Sequence, residues 1–98
     1  MGRTCLNKLR MKIVQIKRSK TFLKQIVKLS KQDQKITAKK VDLLICNPGH
    51  PSLRIHSLKG NLSGCWSISI NRSLRIIFTL SNEGVAIFHS IGTHAIYE

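Results

Sequence analysis

The stretch Cys65-Trp66-Ser67-Ile68-Ser69-Ile70-Asn71-Arg72-Ser73-Leu74-Arg75-Ile76-Ile77-Phe78-Thr79-Leu80 decides the fold. From Trp66 to Ile70, every second residue is large and apolar. A strand sends alternate side chains to opposite faces. Trp66, Ile68 and Ile70 therefore share one face, and Cys65, Ser67, Ser69 and Asn71 the other. Asn71-Arg72-Ser73 is a turn. The next strand, Leu74 to Leu80, puts Leu74, Ile76, Phe78 and Leu80 on one side and Arg75, Ile77 and Thr79 on the other. Ser81-Asn82-Glu83-Gly84 has the composition of a hairpin turn, with Gly84 suited to a positive φ. Val85 to Ile91 is the last strand. Three strands joined by tight turns form an antiparallel meander, one face packed on a core and one left partly polar.

Upstream of the meander the period changes. Lys12 to Lys17 is a short β-branched run and reads as a first strand. Ser19 is a good N-cap, and Phe22, Ile26 and Leu29 follow on one helical face. Ser30 caps a second helix with Asp33 three residues on. Ile36, Val41, Leu43, Leu44 and Ile45 supply the buried side of that helix, and Asn47-Pro48-Gly49 stops it. The two helices form a hairpin. Residues 50–64 read as loop, with one extended piece around Leu53 to Ile55. The fold class is α+β: an N-terminal strand and a two-helix hairpin packed on a small antiparallel sheet. Residues 1–10 show no periodicity and read as a flexible N-terminal extension. Residues 11–98 read as one domain.

Charge divides the chain unevenly. The net charge is +13 over 98 residues. Residues 1–40 hold 13 Lys/Arg and one acid, a balance of +12, and residues 41–98 hold four Lys/Arg and three acids, a balance of +1. Lys20, Lys24 and Lys28 recur at helical spacing, as do Lys31, Lys35 and Lys39. Such rows attract polyanions by counterion release, RNA first among them and an acidic protein second. Cys5, Cys46 and Cys65 show no CxxC spacing, which fits a reducing cytoplasm. The apolar run Ile13 to Ile16 is broken by Gln15, too short for a signal peptide, and no stretch approaches bilayer length.

All four histidines lie in the near-neutral part. His56 stands on the loop before the meander. His94 follows the last strand in Ile91-Gly92-Thr93-His94. Ser67, Ser69 and Arg75 come together on the polar side of the sheet. Arginine, hydroxyls and two histidines suit cleavage of an RNA phosphodiester. RNA supplies its own nucleophile, the 2′-hydroxyl. The protein then needs a base for that hydroxyl, a cation for the phosphoryl oxygens and an acid for the leaving 5′-oxygen. Imidazole suits base or acid because it titrates near neutrality. Guanidinium suits the charge because it stays protonated and binds phosphate bidentately. Neither metal nor cofactor is expected, since the spacings of six, 33 and five between successive histidines match no tight metal motif. His50, between Pro48 and Pro51, reads as a loop residue with a secondary claim on substrate. His89, mid-strand, reads as core or edge, and Trp66 as core.

Four segments carry a family resemblance: Pro48 to Gly60 (Pro-x-x-x-x-Leu-Arg-x-His-x-Leu-x-Gly as it stands in this chain), Gly64 to Ile68, Leu74 to Phe78, and Ile91 to His94. Together they resemble the RelE/ParE superfamily of toxins from bacterial toxin–antitoxin pairs, and within it the YafQ-like branch. The resemblance covers about residues 11–97. It implies two helices packed on a small antiparallel sheet, a ribosome-dependent endoribonuclease that cuts mRNA, and an acidic antitoxin that blocks it. It makes His94, His56 and Arg75 the catalytic set. Ser67, Ser69, Lys59, His50 and Tyr97 become substrate contacts, and the two lysine rows contacts to ribosomal RNA. Ser69 and Ser73 stand where that branch often has a histidine and an aspartate, which implies a slower enzyme. Two other readings compete: a gyrase-inhibiting relative from the same superfamily, which would need neither His56 nor His94, and a non-catalytic RNA-binding module, disfavoured by the scarcity of exposed aromatics.

Overall fold

In a computed structural model of the protein the described residues are 12–93. The expectations for residues 1–10, His94 and Tyr97 fall outside them. The elements are β1 (Gln15–Arg18), α1 (Lys20–Ile26), α2 (Lys31–Cys46), β2 (His56–Ser57), β3 (Trp66–Ser69), β4 (Arg75–Leu80) and β5 (Val85–Gly92). They form a two-helix, five-stranded α+β fold with sheet order β1-β5-β4-β3-β2. The meander β3-β4-β5 is antiparallel, as its tight turns predict. β1 joins β5 in parallel.

Ser19 ties α1 to β5. Its Oγ accepts from Phe22 N at 3.0 Å, capping α1, and donates to the His89 carbonyl at 2.8 Å. Its N–H donates to the Phe88 carbonyl at 3.0 Å. Ser30 caps α2 by accepting from Asp33 N at 3.1 Å. Gln34 Nε2 donates to the carbonyls of Ile26 and Leu29, at 3.0 and 3.2 Å, and so satisfies the end of α1. Gly84 closes the β4–β5 hairpin at φ +89, and a Cβ there would stand 2.9 Å from the Lys12 carbonyl oxygen. Its own carbonyl accepts from Val14 N at 2.9 Å and brings β1 alongside.

The core lies between the helices and one sheet face. Ile68, Ile76, Phe78 and Phe88 meet Leu44 of α2 and Phe22 of α1, all buried. The Phe88 ring sits 5.4 Å from Phe22 and 5.9 Å from Phe78, centroid to centroid. Each such burial is worth roughly 1.5–3 kcal/mol. Ile45 departs from the expected helix face. It is 46% exposed, while Thr37 is buried in its stead, because Thr37 and Leu44 lie seven residues apart on one helical stripe.

Two local features differ from the sequence reading. The extended piece near Leu53 is a 3-10 turn, Pro51–Leu53, begun by Pro51 and pinned by the fully buried Leu53. The extended segment comes later, as β2, so His56 stands on an edge strand rather than a loop. The second is a bulge. Ile77 pairs with Ser90 and Phe78 with Phe88, leaving His89 as the extra residue. Phe88 and Ile91 therefore both face the core, which strict alternation forbids. Among the described residues no helix is long and apolar enough to cross a membrane.

Candidate RNA-cleaving site

Cross-strand partners share a face, so the register lays out the sheet surface turned away from the core. His56, Ser67, Ile77 and Ser90 form one row, and Ser69, Arg75 and Gly92 the next. His56 and Arg75 are two strand spacings apart and two residues along, about 9.5 Å by about 7 Å at the backbone. Ser90 and Gly92 reach this face only because the bulge shifts the phase of β5. His94 is the next residue but one in the sequence and lies outside the described residues.

The two serines form the floor of this face. Ser67 is fully buried and Ser69 is 8% exposed. Both sit on β3, where Ser67 pairs with His56 of β2 and Ile77 of β4, and Ser69 with Arg75 of β4. Ser69 Oγ donates to the Asn71 carbonyl at 3.1 Å.

Beside that floor opens a cleft of about 450 Å³, lined by Lys40, Arg54, Arg72 and Arg75 with Ser52, Ser69, Ile70 and Asn71. Four cations converge there, and no acid is among the described residues that line it. The cleft is built by the β3–β4 turn. Asn71 Oδ1 accepts from the N–H groups of Ser73 and Leu74, both at 2.9 Å. Asn71 Nδ2 donates to Asp33 Oδ1 at 3.2 Å, fixing the turn to α2. Arg75 Nη1 donates to the carbonyls of Asn71 at 2.8 Å and Leu74 at 3.0 Å. A guanidinium has five N–H groups. Nη1 holds two of them, so the three on Nε and Nη2 are the ones a phosphate can take.

His56 and His50 are held in opposite ways. His56 Nδ1 lies 2.9 Å from the Arg54 carbonyl oxygen. A carbonyl only accepts, so Nδ1 carries the proton and neutral His56, an exposed side chain, keeps its lone pair on Nε2. His50 Nδ1 instead accepts from Ser52 N at 3.1 Å and caps the 3-10 turn. That bond occupies His50 in local structure.

The other expected residues lie elsewhere. Lys59 is exposed at the start of a second 3-10 turn, Gly60–Leu62. Lys20, Lys24, Lys28, Lys31, Lys35 and Lys39 are all exposed on the helical layer. Lys31, Lys35 and Lys39 line an open groove of about 760 Å³ along α2. Lys40, Arg54 and Arg72 are not among the residues the sequence singles out for the site. Lys40 carries a signal, since it breaks the four-residue lysine spacing by one position and so points about 100° away from the row. His89, expected in the core or at an edge, is exposed on the site side of the sheet, its Nε2 2.9 Å from Thr79 Oγ1. Among the described residues no three of His, Cys, Asp and Glu form a metal-binding group.

The fold is similar to that of solved structures of toxins. YafQ from E. coli strain BL21(DE3) aligns with a TM-score of 0.69 at 26% identity, over 83% of this chain and 93% of that one. A chain of the E. coli DinJ-YafQ toxin-antitoxin complex aligns with a TM-score of 0.64 at 25% identity, over 83% of this chain and 92% of that one. The archaeal RelE-RelB complex from Pyrococcus horikoshii OT3 shares the fold, with a TM-score of 0.67 at 17% identity over 81% and 92% of the two chains. No protein-family model and no curated protein sequence matches the chain.

Proposed function

We propose that this chain, which belongs to the RelE/YafQ-like toxin superfamily, is the toxin of a type II toxin–antitoxin pair and an endoribonuclease that cuts mRNA on the ribosome. The observation that carries the reading is a cleft of four cations at the β3–β4 turn, one of which, Arg75, shares a sheet face with His56, whose proton is held on Nδ1 and whose lone pair is left on Nε2. A phosphodiester chain fits such a cleft by charge, and only a hydroxyl-bearing chain gives the histidine a proton to take.

In this scheme His56 Nε2 accepts the 2′-hydroxyl proton. The 2′-oxygen attacks the adjacent phosphorus, and the bond to the 5′-oxygen breaks. His94 donates a proton to that leaving oxygen. The products are a 2′,3′-cyclic phosphate and a 5′-hydroxyl. Arg75, braced by the turn carbonyls, neutralises the charge that gathers on the phosphoryl oxygens. Ser67 and Ser69 shape the floor, and their place on the strand leaves proton transfer to the two histidines alone. A gyrase-inhibiting protein would have no use for a tautomer-fixed His56.

In this reading the exposed lysine rows hold ribosomal RNA and the protein acts in the cytoplasm. The partner that silences it is an acidic antitoxin, suited to a chain of net charge +13. Two of the structural relatives are themselves toxin–antitoxin complexes. The reading is tested by mapping mRNA cleavage with and without ribosomes. His94→Ala is expected to abolish cutting while leaving the protein folded, and cutting that survives this change contradicts the scheme.

A further inference from the structure

We infer that Arg54 is a positioning residue with two tasks: its backbone carbonyl holds His56 in the Nδ1–H tautomer, and its guanidinium serves the adjacent phosphate cleft. The inference rests on the reading of His56 as the proton acceptor and goes further in assigning what orients it.

Arg54 is, among the described residues, the one non-glycine with positive φ, at φ 48 and ψ 44. A side chain bearing a Cβ is disfavoured in this left-handed region, and such strain persists only where the surroundings impose it. Here they do. The Arg54 N–H donates to the Pro51 carbonyl at 3.1 Å, closing the 3-10 turn that the buried Leu53 anchors. On its other side the Arg54 carbonyl accepts from His56 Nδ1 at 2.9 Å. Turning ψ to an extended value would swing that carbonyl off the ring.

A backbone position of this kind favours glycine or asparagine. Arginine stands there instead, and it lines the cleft together with Lys40, Arg72 and Arg75. One residue thus joins the cation that holds a phosphate of the RNA chain to the group that orients the base acting beside it. Phosphate docking and base orientation become a single structural unit.

The test compares the full-length protein with Arg54→Gly and Arg54→Val, using two independent readouts. Glycine keeps the left-handed backbone and its carbonyl but removes the cation. Valine, β-branched, removes the cation and opposes the backbone conformation. Nitrogen-15 NMR of neutral His56 is expected to show the Nδ1–H tautomer in wild type and Arg54→Gly, and a shift toward Nε2–H in Arg54→Val. In ribosome-dependent cleavage, Arg54→Gly is expected to raise KM about tenfold, the loss of one charged hydrogen bond, with a smaller change in kcat. Arg54→Val should add a fall in kcat of about tenfold or more from a misaligned base. Wild-type His56 that is mainly Nε2–H overturns the carbonyl role without recourse to any variant. An unchanged KM in Arg54→Gly overturns the guanidinium role. Wild-type protein that fails to cut RNA at all refutes the nuclease reading, while the tautomer measurement still decides the carbonyl role.

Discussion

Ser69 and Arg75 face each other as register partners on β3 and β4, at the wall of the basic cleft. The short serine leaves space above the strand, and the arginine turns back over its own hairpin. There its Nη1 grips the carbonyls of Asn71 and Leu74. This bracing gives Arg75 a fixed direction before any substrate arrives. Arg75→Ala should slow cleavage by roughly 10²–10³, the scale seen when one pre-aimed charge-stabilising donor is removed. It should also cost about 1–2 kcal/mol of stability by urea unfolding, because the bonds from Nη1 to the hairpin carbonyls disappear. A large stability loss with an unchanged cleavage rate would make Arg75 a structural residue.

The two basic surfaces should separate by salt dependence. Removing one phosphate-neutralising side chain lowers the slope of log affinity against log salt by about 0.7 for a single strand. Lys40→Gln and Arg72→Gln should each reduce the slope for a short single-stranded RNA by about that amount. Replacing Lys31, Lys35 and Lys39 by glutamine should weaken ribosome binding and leave the short-RNA slope in place. Filter binding of the oligonucleotide and co-sedimentation with ribosomes read the two effects. Equal slopes across all variants would refute the cleft as the phosphate site.

Gly84 and Gly60 offer a comparison of backbone strain with and without crowding. Both have positive φ, but a Cβ at Gly84 would press on the Lys12 carbonyl and on Val14, whereas at Gly60 it meets nothing within 4 Å. Gly60→Ala should cost about 1–2 kcal/mol, the left-handed penalty alone. Gly84→Ala should cost more, because the clash pushes β1 away from the hairpin it pairs with. Chemical denaturation checks the order; equal losses would show that β1 can shift without penalty.

Much of this fold is legible in the sequence. The alternation of Trp66, Ile68 and Ile70 against Ser67 and Ser69 reflects a face-by-face difference in burial potential that the chain itself carries. Ser19 and Ser30 announce their helices because capping is local chemistry. The missed features depend on partners distant in sequence. The His89 bulge is a register event between β4 and β5, and nothing in Val85 to Gly92 alone marks it. The burial of Ser67 follows from its place between two neighbouring strands. Arg54 adopts a conformation its residue type disfavours, so propensity points the wrong way there. The cleft draws Lys40 from a helix and Arg72 and Arg75 from a hairpin, a grouping that only the tertiary fold creates.

The most direct measurement is cleavage of a defined mRNA by wild type and by His56→Asn, with and without purified ribosomes, reading the chemistry of the new ends. Asparagine retains an N–H to offer the Arg54 carbonyl but has no lone-pair nitrogen to take a proton. Wild type should cut only with ribosomes and leave 5′-hydroxyl and 2′,3′-cyclic phosphate ends, and His56→Asn should be slower by roughly 10²–10⁴. Ends bearing 5′-phosphate, or a His56→Asn protein that cuts at the wild-type rate, would contradict the account.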